Sequence, residues 1–218
     1  MQFAFTEEQE LLRREARQAL TGDGESAPDF AALGWTSDDL QEAGLTFVDQ
    51  AVLLEELGRA GHGAPFFESV LASRSREEQL AALALEAVGI AQKALELGVE
   101  HASTREQFGK KIGTYQAVSH PLADTYVETE LARSLAYWAA WCVAEGDEMA
   151  PIAVAAAKSY AGDVAVAACE RSIQVHGGIG FTWEHVLHVY YKRALWIQAH
   201  GGYARELRAE VAAWLLDR

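Results

Sequence analysis

The stretch SREEQLAALALEAVGIAQKALELGVEHAST, residues 75–104, decides the fold. It contains no proline, and its apolar residues keep a helical spacing in a stripe formed by Leu83, Val88, Ala91, Leu95 and Val99. Three similar stretches follow at Tyr115–Glu145, Ala150–Val175 and Glu184–Asp217, and the pair Gly201–Gly202 can break the last of them. Four long helices with short connections predict an antiparallel four-helix bundle.

Shorter helices are predicted ahead of this bundle. Thr6 is a typical N-cap because acidic residues follow it, and the helix that it starts reaches about residue 20. A loop rich in glycine, proline and aspartate covers residues 21–29, a second helix covers Phe47–Arg59, and a short helix follows Pro65 and ends near Arg74. The predicted fold class is therefore all-α.

The predicted architecture has two parts. A shortened N-terminal helical region, residues 1–74, is expected to pack on the C-terminal four-helix bundle, residues 75–218. Period-two alternation of apolar and polar residues is nearly absent, so no strand is predicted.

Composition restricts the possible functions. The 218 residues include 18 lysines and arginines against 32 acidic residues, a formal charge of −14, which argues against binding to nucleic acid or to an anionic membrane. No run of 18 apolar residues predicts a membrane span. Cys142 and Cys169 lie in apolar helical stretches as reduced thiols, and the first residues carry no secretory leader, so a cytoplasmic location is expected. The histidines show no HExxH-type pairing, so no metal site is predicted.

Two loop sequences carry the chemistry. The stretch TREQFGKK, residues 104–111, puts Arg105, Phe108 and two lysines in one turn of an acidic protein, with Gly109 allowing close approach of the backbone. The stretch QVHGGIGF, residues 174–181, holds three glycines in four residues, which frees backbone N–H groups to meet an anion or a carbonyl. Either loop alone is more often an ordinary surface turn.

Together the two loops resemble those of a known family. Residues 89–141 and 155–194 are similar to the C-terminal domain of acyl-CoA dehydrogenases, and residues 5–17 and 52–73 resemble pieces of that family's N-terminal helical domain. The family places a β-domain between these two helical parts, where it holds the flavin ring and much of the acyl-CoA. Here Ala72 runs into Ser75 with no room for that domain.

The resemblance implies a cofactor role for both loops. In the family they reach across a subunit interface to the pyrophosphate and adenosine of a neighbouring subunit's FAD. By this resemblance Arg105 contacts the pyrophosphate, Phe108 and Gly109 lie near the ADP half, and polar or backbone contacts come from Gln174, Gly177 and Gly178. FAD is then shared with a partner subunit, and the isolated chain need not hold it.

The resemblance also implies that the catalytic base is missing. The family's glutamate follows an RDA-like triplet, and Gly201 stands at the matching position, beside His200. Some members place the glutamate at the start of the first bundle helix, where this chain has Gln79, with Glu78 one residue away. One residue turns a helical side chain by about 100°. No catalytic residue is therefore assigned, and His200 and Glu78 remain open.

Three functions are compatible with these residues. The first is a subunit that completes the FAD site of a longer acyl-CoA dehydrogenase partner, or of an oligomer of its own, with the acyl-CoA thioester held mainly by the partner. The second is a non-redox enzyme or binding protein that reuses the helical scaffold, with His200, Tyr203 or Glu184 as reactive groups. The third is a purely structural or regulatory helical protein that keeps both loops as relics.

Overall fold

The computed structural model describes residues 5–20 and 28–217. The expected absence of a leader at the extreme N-terminus and most of the loop predicted at 21–29 lie outside the described residues. The described parts form helices α1 (Glu7–Ala19), α2 (Ser37–Glu42), α3 (Phe47–Ala60), α4 (Gly63–Phe66), α5 (Arg76–Thr104), α6 (Gln116–Glu145), α7 (Ala150–His176), α8 (Leu187–Ala199) and α9 (Ala204–Leu216), with a hairpin of β1 (Glu106–Gln107) and β2 (Lys110–Lys111) between α5 and α6.

The all-α prediction is confirmed, and the bundle consists of α5, α6, α7 and the pair α8–α9. Helix α5 starts where the sequence indicates, because Ser75 and Glu78 form a reciprocal capping box. The predicted fourth helix is divided at Gly201 and Gly202, which both have positive φ. It also begins three residues later than predicted, since the His185 ring accepts the Leu187 N–H in a turn before α8.

The central helices of the bundle are strongly apolar. One stretch, Ala150–Phe181, is long and apolar enough to cross a membrane by length and composition, and 67% of its most apolar window is buried inside the protein. Alanine dominates this helix, which lets α5, α6, α8 and α9 all pack on it. Its apolar character is accounted for by its place in the core.

The N-terminal helices pack on one side of the bundle. Helix α3 lies across α5 and also contacts α6, and α1 packs on α3. Helix α2, which was not predicted from the sequence, is a short helix with its own capping box between Thr36 and Asp39. The helix predicted after Pro65 starts earlier, at Gly63, because proline is tolerated in a first helical turn, and it continues as a wider π-type turn to Leu71.

Buried carboxylates join the N-terminal helices to the bundle. Glu55 on α3 is 7% exposed, accepts a hydrogen bond from Arg133 Nε on α6 at 2.9 Å, and accepts another from the Tyr137 hydroxyl at 2.8 Å. Burial first, and then the Glu55 charge, hold the pKa of Tyr137 well above its usual value. This hydroxyl therefore stays protonated and donates to Glu55.

The Glu55–Arg133 pair gives a direct test of this attachment. Arg133→Ala leaves a buried carboxylate with one hydroxyl partner, so the free energy of unfolding should fall by about 3 kcal/mol. The matched control is Arg208→Ala, which removes an exposed pair with Asp163 and should cost less than about 1 kcal/mol. Urea denaturation measures both. Equal losses in the two variants would contradict the assigned role of Glu55.

Candidate functional site

The first loop forms a tight hairpin. Strands β1 and β2 pair in antiparallel register, Glu106 opposite Lys111 and Gln107 opposite Lys110. The two turn residues, Phe108 and Gly109, have φ values of 53° and 79°. Two successive positive φ angles match the turn type that suits the twist of a two-residue hairpin. The sequence predicted a plain turn here, and the hairpin escaped prediction because each strand has two residues.

Phe108 is the unusual residue of this hairpin. Among the described residues other than glycine it alone has a positive φ, which is unfavourable for a bulky side chain. Its ring is 93% exposed and so gains no core packing in return. Backbone strain that no contact in the chain offsets is typical of residues kept for binding.

The hairpin is held firmly at its base. The Ile112 N–H donates to the Arg105 carbonyl at 2.9 Å, and the Tyr115 hydroxyl donates to the Gln107 carbonyl at 3.3 Å. The Lys110 ammonium also lies 4.2 Å from the centre of the Tyr115 ring. Arg105 ends α5 in an extended conformation and is exposed, so its guanidinium is accessible to a ligand.

The second loop presents open backbone. Gly177 ends α7 with φ 65° and ψ −138°, and a short 3-10 turn runs from Gly177 to Phe181. A Cβ built on Gly177 or Gly178 would meet nothing within 4 Å, whereas one on Gly180 would lie 2.7 Å from the Ile173 carbonyl oxygen. Gly180 is thus required for packing. Gly177 and Gly178 face open space, and Gln174 is exposed one turn earlier.

A ring contact brings the two loops to the same end of the bundle. His101, one turn before Arg105, lies with its ring centroid 4.4 Å from that of His176, which directly precedes Gly177. The His176 ring in turn lies 4.3 Å from His185. The sequence-predicted residues Arg105, Phe108, Gly109, Gln174, Gly177 and Gly178 therefore share one end of the molecule, as two exposed segments joined by histidine contacts.

This arrangement suits an anionic, partly aromatic ligand. It offers an exposed guanidinium, an exposed phenyl ring and glycine backbone open to close approach. These features fit the ADP half of FAD. Among the described residues the strands are confined to the hairpin, so the chain provides no β-domain for the flavin ring.

The Gly201 position has a different environment. Gly201 has φ 73°, and a Cβ there would lie 2.7 Å from Leu80 Cδ2. The buried Lys158 ammonium donates to the Gln198 carbonyl at 3.1 Å and to the Gly202 carbonyl, which fixes the turn after α8. A side chain at Gly201 would meet both an unfavourable backbone and the Leu80 methyl groups.

The other candidate bases have structural contacts. Glu78 accepts hydrogen bonds from the backbone N–H and hydroxyl of Ser75 at 3.1 and 2.9 Å, as part of the α5 cap. The His200 ring stacks on Trp196 at 4.2 Å, and burial first, then Arg193 and Lys158, lowers the pKa of His200. Within the part of the chain that the structure describes, no group of three or more His, Cys, Asp or Glu residues has the geometry to hold a metal.

Comparison with known protein families gives a match to the C-terminal part of the chain. The family model described as "Acyl-CoA dehydrogenase, C-terminal domain" matches residues 76–216. The chain is 43% identical over 112 residues to acyl-CoA dehydrogenase IpdE2 of Mycobacterium tuberculosis, covering 51% of this chain and 33% of that protein. It is 41% identical over 174 residues to acyl-CoA dehydrogenase FadE34 of the same organism, covering 74% and 24%.

Solved structures show the same relationship. Butyryl-CoA dehydrogenase from Megasphaera elsdenii is similar with a TM-score of 0.62 at 32% identity, over 65% of this chain and 37% of that one. A chain from work on the electron-transferring flavoprotein of Acidaminococcus fermentans is similar with a TM-score of 0.63 at 33% identity, over 66% and 37%. The chain thus spans roughly a quarter to just over a third of the length of these relatives.

The Gly201 turn gives a test with a matched control. Gly201→Ala and Gly44→Ala both place a Cβ at positive φ, and each should cost about 1 kcal/mol of stability for that reason. Only the first also meets Leu80, so it should cost about 1–2 kcal/mol more, because nothing lies within 4 Å at Gly44. Thermal and urea denaturation compare them. Equal losses of stability in the two variants would show that the Leu80 side chain moves aside without a measurable cost.

Lys158 predicts a pH dependence. Its burial lowers the pKa from the usual 10.5 to about 8, so between these values the unfolded chain binds more protons than the folded one. The free energy of unfolding should therefore rise with pH in this window, relative to Lys158→Met. Denaturation of both proteins at about pH 7.5 and about pH 9.5 measures the difference. If the free energy of unfolding of the wild type, taken relative to that of Lys158→Met, stayed constant or fell between these two pH values, the lowered pKa of Lys158 would be contradicted.

Proposed function

The chain belongs to the acyl-CoA dehydrogenase family, and from this premise we propose that it completes, in trans, the FAD site of a longer acyl-CoA dehydrogenase subunit. The observation that carries the proposal is the placement of the hairpin and the Gly177–Gly178 turn at one end of the bundle with their binding groups exposed. The family is FAD-dependent, which makes FAD the cofactor of choice. The arginine fork suits its pyrophosphate.

Each loop would then have a defined role. Arg105 would pair with the pyrophosphate, Phe108 would cover part of the ADP half, and the backbone of Gly177 and Gly178 would approach it closely, with Gln174 as a polar contact. Phe108 is 93% exposed, and a Cβ on Gly177 or Gly178 would meet nothing within 4 Å, so these positions face open space, which supports the assignment. Gly177 also ends α7, with a positive φ. The chemistry that FAD supplies in such a complex is acceptance of a hydride from an acyl-CoA thioester.

The catalytic base in this proposal belongs to the partner. Gly201 offers no proton acceptor and leaves no space for one, and Glu78 is engaged in the α5 cap. Helices α4 and α5 are separated by one wide turn and residues 72–75, so no strand domain is inserted between them. We further propose that the assembly is an oligomer in the cytoplasm, where Cys142 and Cys169 remain buried free thiols.

A second candidate function has one specific observation in its favour. A relative from Paraburkholderia xenovorans, 36% identical over 133 residues that cover 61% of this chain and 34% of that protein, is named 3-sulfinopropanoyl-CoA desulfinase. The same helical domain therefore also occurs in an enzyme named for a different reaction. A chain that never becomes yellow with any partner but converts a CoA thioester by itself would favour this alternative.

The proposal predicts the effect of changing Arg105. Arg105→Ala removes a charge-assisted hydrogen bond worth about 1.5–3 kcal/mol, so FAD retention in the assembled complex should weaken by roughly 10- to 100-fold. Arg105→Lys should recover part of it, since lysine keeps the charge and loses the fork. Flavin titration of the complex measures the effect.

Arg14→Ala on α1 is the matched control, because it also removes an exposed arginine but lies outside both loops. Circular dichroism should show all three variants folded. Equal FAD affinity in the wild type and Arg105→Ala would mean that the hairpin does not serve the cofactor, and would move the preference to the second candidate.

A further inference from the structure

Three histidines lie directly beneath the two exposed loops. His101 belongs to the last turn of α5, His176 is the last residue of α7, and His185 lies just before α8. Their rings form a row with centroid distances of 4.4 and 4.3 Å, and His188 stands next to it at the start of α8. His101 is distant in sequence from His176 and His185, so the packing of α5 against α7 completes this histidine row.

The hydrogen bonds of the row fix where protons can be added. His176 Nδ1 donates to the Ser172 carbonyl at 2.8 Å, because a carbonyl can only accept. His185 Nδ1 accepts from the Leu187 N–H at 3.2 Å, so that nitrogen is unprotonated and its ring is neutral. Protonation of His185 at Nδ1 would break the bond that starts α8.

The surroundings of the row disfavour positive charge. Burial first, then His176 and Arg105, lowers the pKa of His101. Burial first, and then His176, His101 and His188, lowers the pKa of His185. The charged or titratable groups that act on the row from α5, α7 and α8 are thus all bases.

Carboxylates near the row along the chain do not offset these bases. Glu100, Glu106 and Glu184 are exposed, and none of them contributes to either pKa shift. The Lys192 ammonium, 3.9 Å from the centre of the Trp183 ring, adds another positive charge on this side of α8. An anion would therefore be the missing counter-charge for a protonated row.

We propose that the histidine row makes the anion affinity of the two loops depend on pH, so that a pyrophosphate diester bound at Arg105 and Gly177–Gly178 draws protons onto the row. This inference rests on the proposed function, since it takes the ligand to be the pyrophosphate of FAD. His101 lies one helical turn from Arg105 and His176 is adjacent to Gly177, so the row lies on the protein side of the binding surface.

The direction of the effect follows from linkage. A bound anion favours the protonated form of a nearby histidine, so the complex holds more protons than the free chain. Affinity for the anion therefore increases as pH falls through the histidine range. The limit is about tenfold per pH unit for each proton taken up. Coupling among the rings spreads the uptake over the row, so no single ring carries it all.

The test uses the full chain and FAD as the probe. The two phosphates of FAD are diesters and keep their charge between about pH 5.5 and 8, unlike a phosphate monoester with its pKa near 6. NMR of the labelled chain follows the histidine rings and the amide groups of both loops during titration with FAD at several pH values. We expect the pKa of His101 and of His185 to rise when the chain is saturated with FAD. We also expect the FAD dissociation constant to fall at least threefold as the pH is lowered from about 8 to about 5.5.

Two variants give the comparison. His101→Phe keeps an aromatic ring against His176 but removes a site of protonation, so it should lose about half of the pH dependence of the FAD dissociation constant. The control is His120→Phe, which changes an exposed histidine on α6 outside the row and should keep the wild-type dependence.

The outcomes separate the two proposals. Binding that Arg105→Ala weakens but that is the same at every pH overturns the role of the histidine row and leaves the proposed function standing. Full pH dependence in His101→Phe would overturn the role of the row in the same way. If millimolar FAD shifts neither loop of the isolated chain at any pH, the inference fails, whereas the proposed function, in which FAD is shared with a partner subunit, is decided separately by the flavin titration of the assembled complex.

Discussion

The close crossing of α3 over α5 is the constraint on which the rest of the structure depends. A Cβ on Gly89 would lie 2.0 Å from the Glu55 carbonyl oxygen, and one on Gly58 would lie 2.2 Å from the Glu86 carbonyl oxygen, so the two backbones touch. This contact buries the carboxylates of Glu55 and Glu86 beside it. Each then needs an arginine, which α6 supplies through Arg133 and α8 through Arg193. One crossing of glycines therefore links four helices.

The binding surface lies away from that crossing and has the opposite character. Helices α5 and α7 have many buried residues, and each ends in an exposed loop. The loop after α5 carries an arginine and an exposed phenyl ring, and the loop after α7 carries the open glycines. Loops held by rigid helices can present binding groups in a fixed arrangement without contributing to the core. A change in either loop can thus alter binding while the bundle keeps its stability.

Local signals in the sequence were enough for most of the helices. The Thr6 cap, the spacing of apolar residues in α5 and the Gly201–Gly202 break each act over a few residues, and the structure contains all three. The hairpin was missed because two-residue strands carry no periodic signal and Phe-Gly is not a usual turn pair. The histidine row could not be predicted, since His101 and His176 meet only when α5 packs on α7.

The strained Phe108 at the hairpin tip has a consequence for directed evolution of this protein. Asparagine or glycine at position 108 would suit the backbone better than the present residue, so rounds of selection on heat tolerance alone would favour their appearance there. The selected variants would gain thermal stability and lose the exposed Phe108 ring in the same substitution. Thermal stability and ligand binding are thus opposed at position 108. A selection that is meant to preserve both must therefore screen for stability and for binding in the same round.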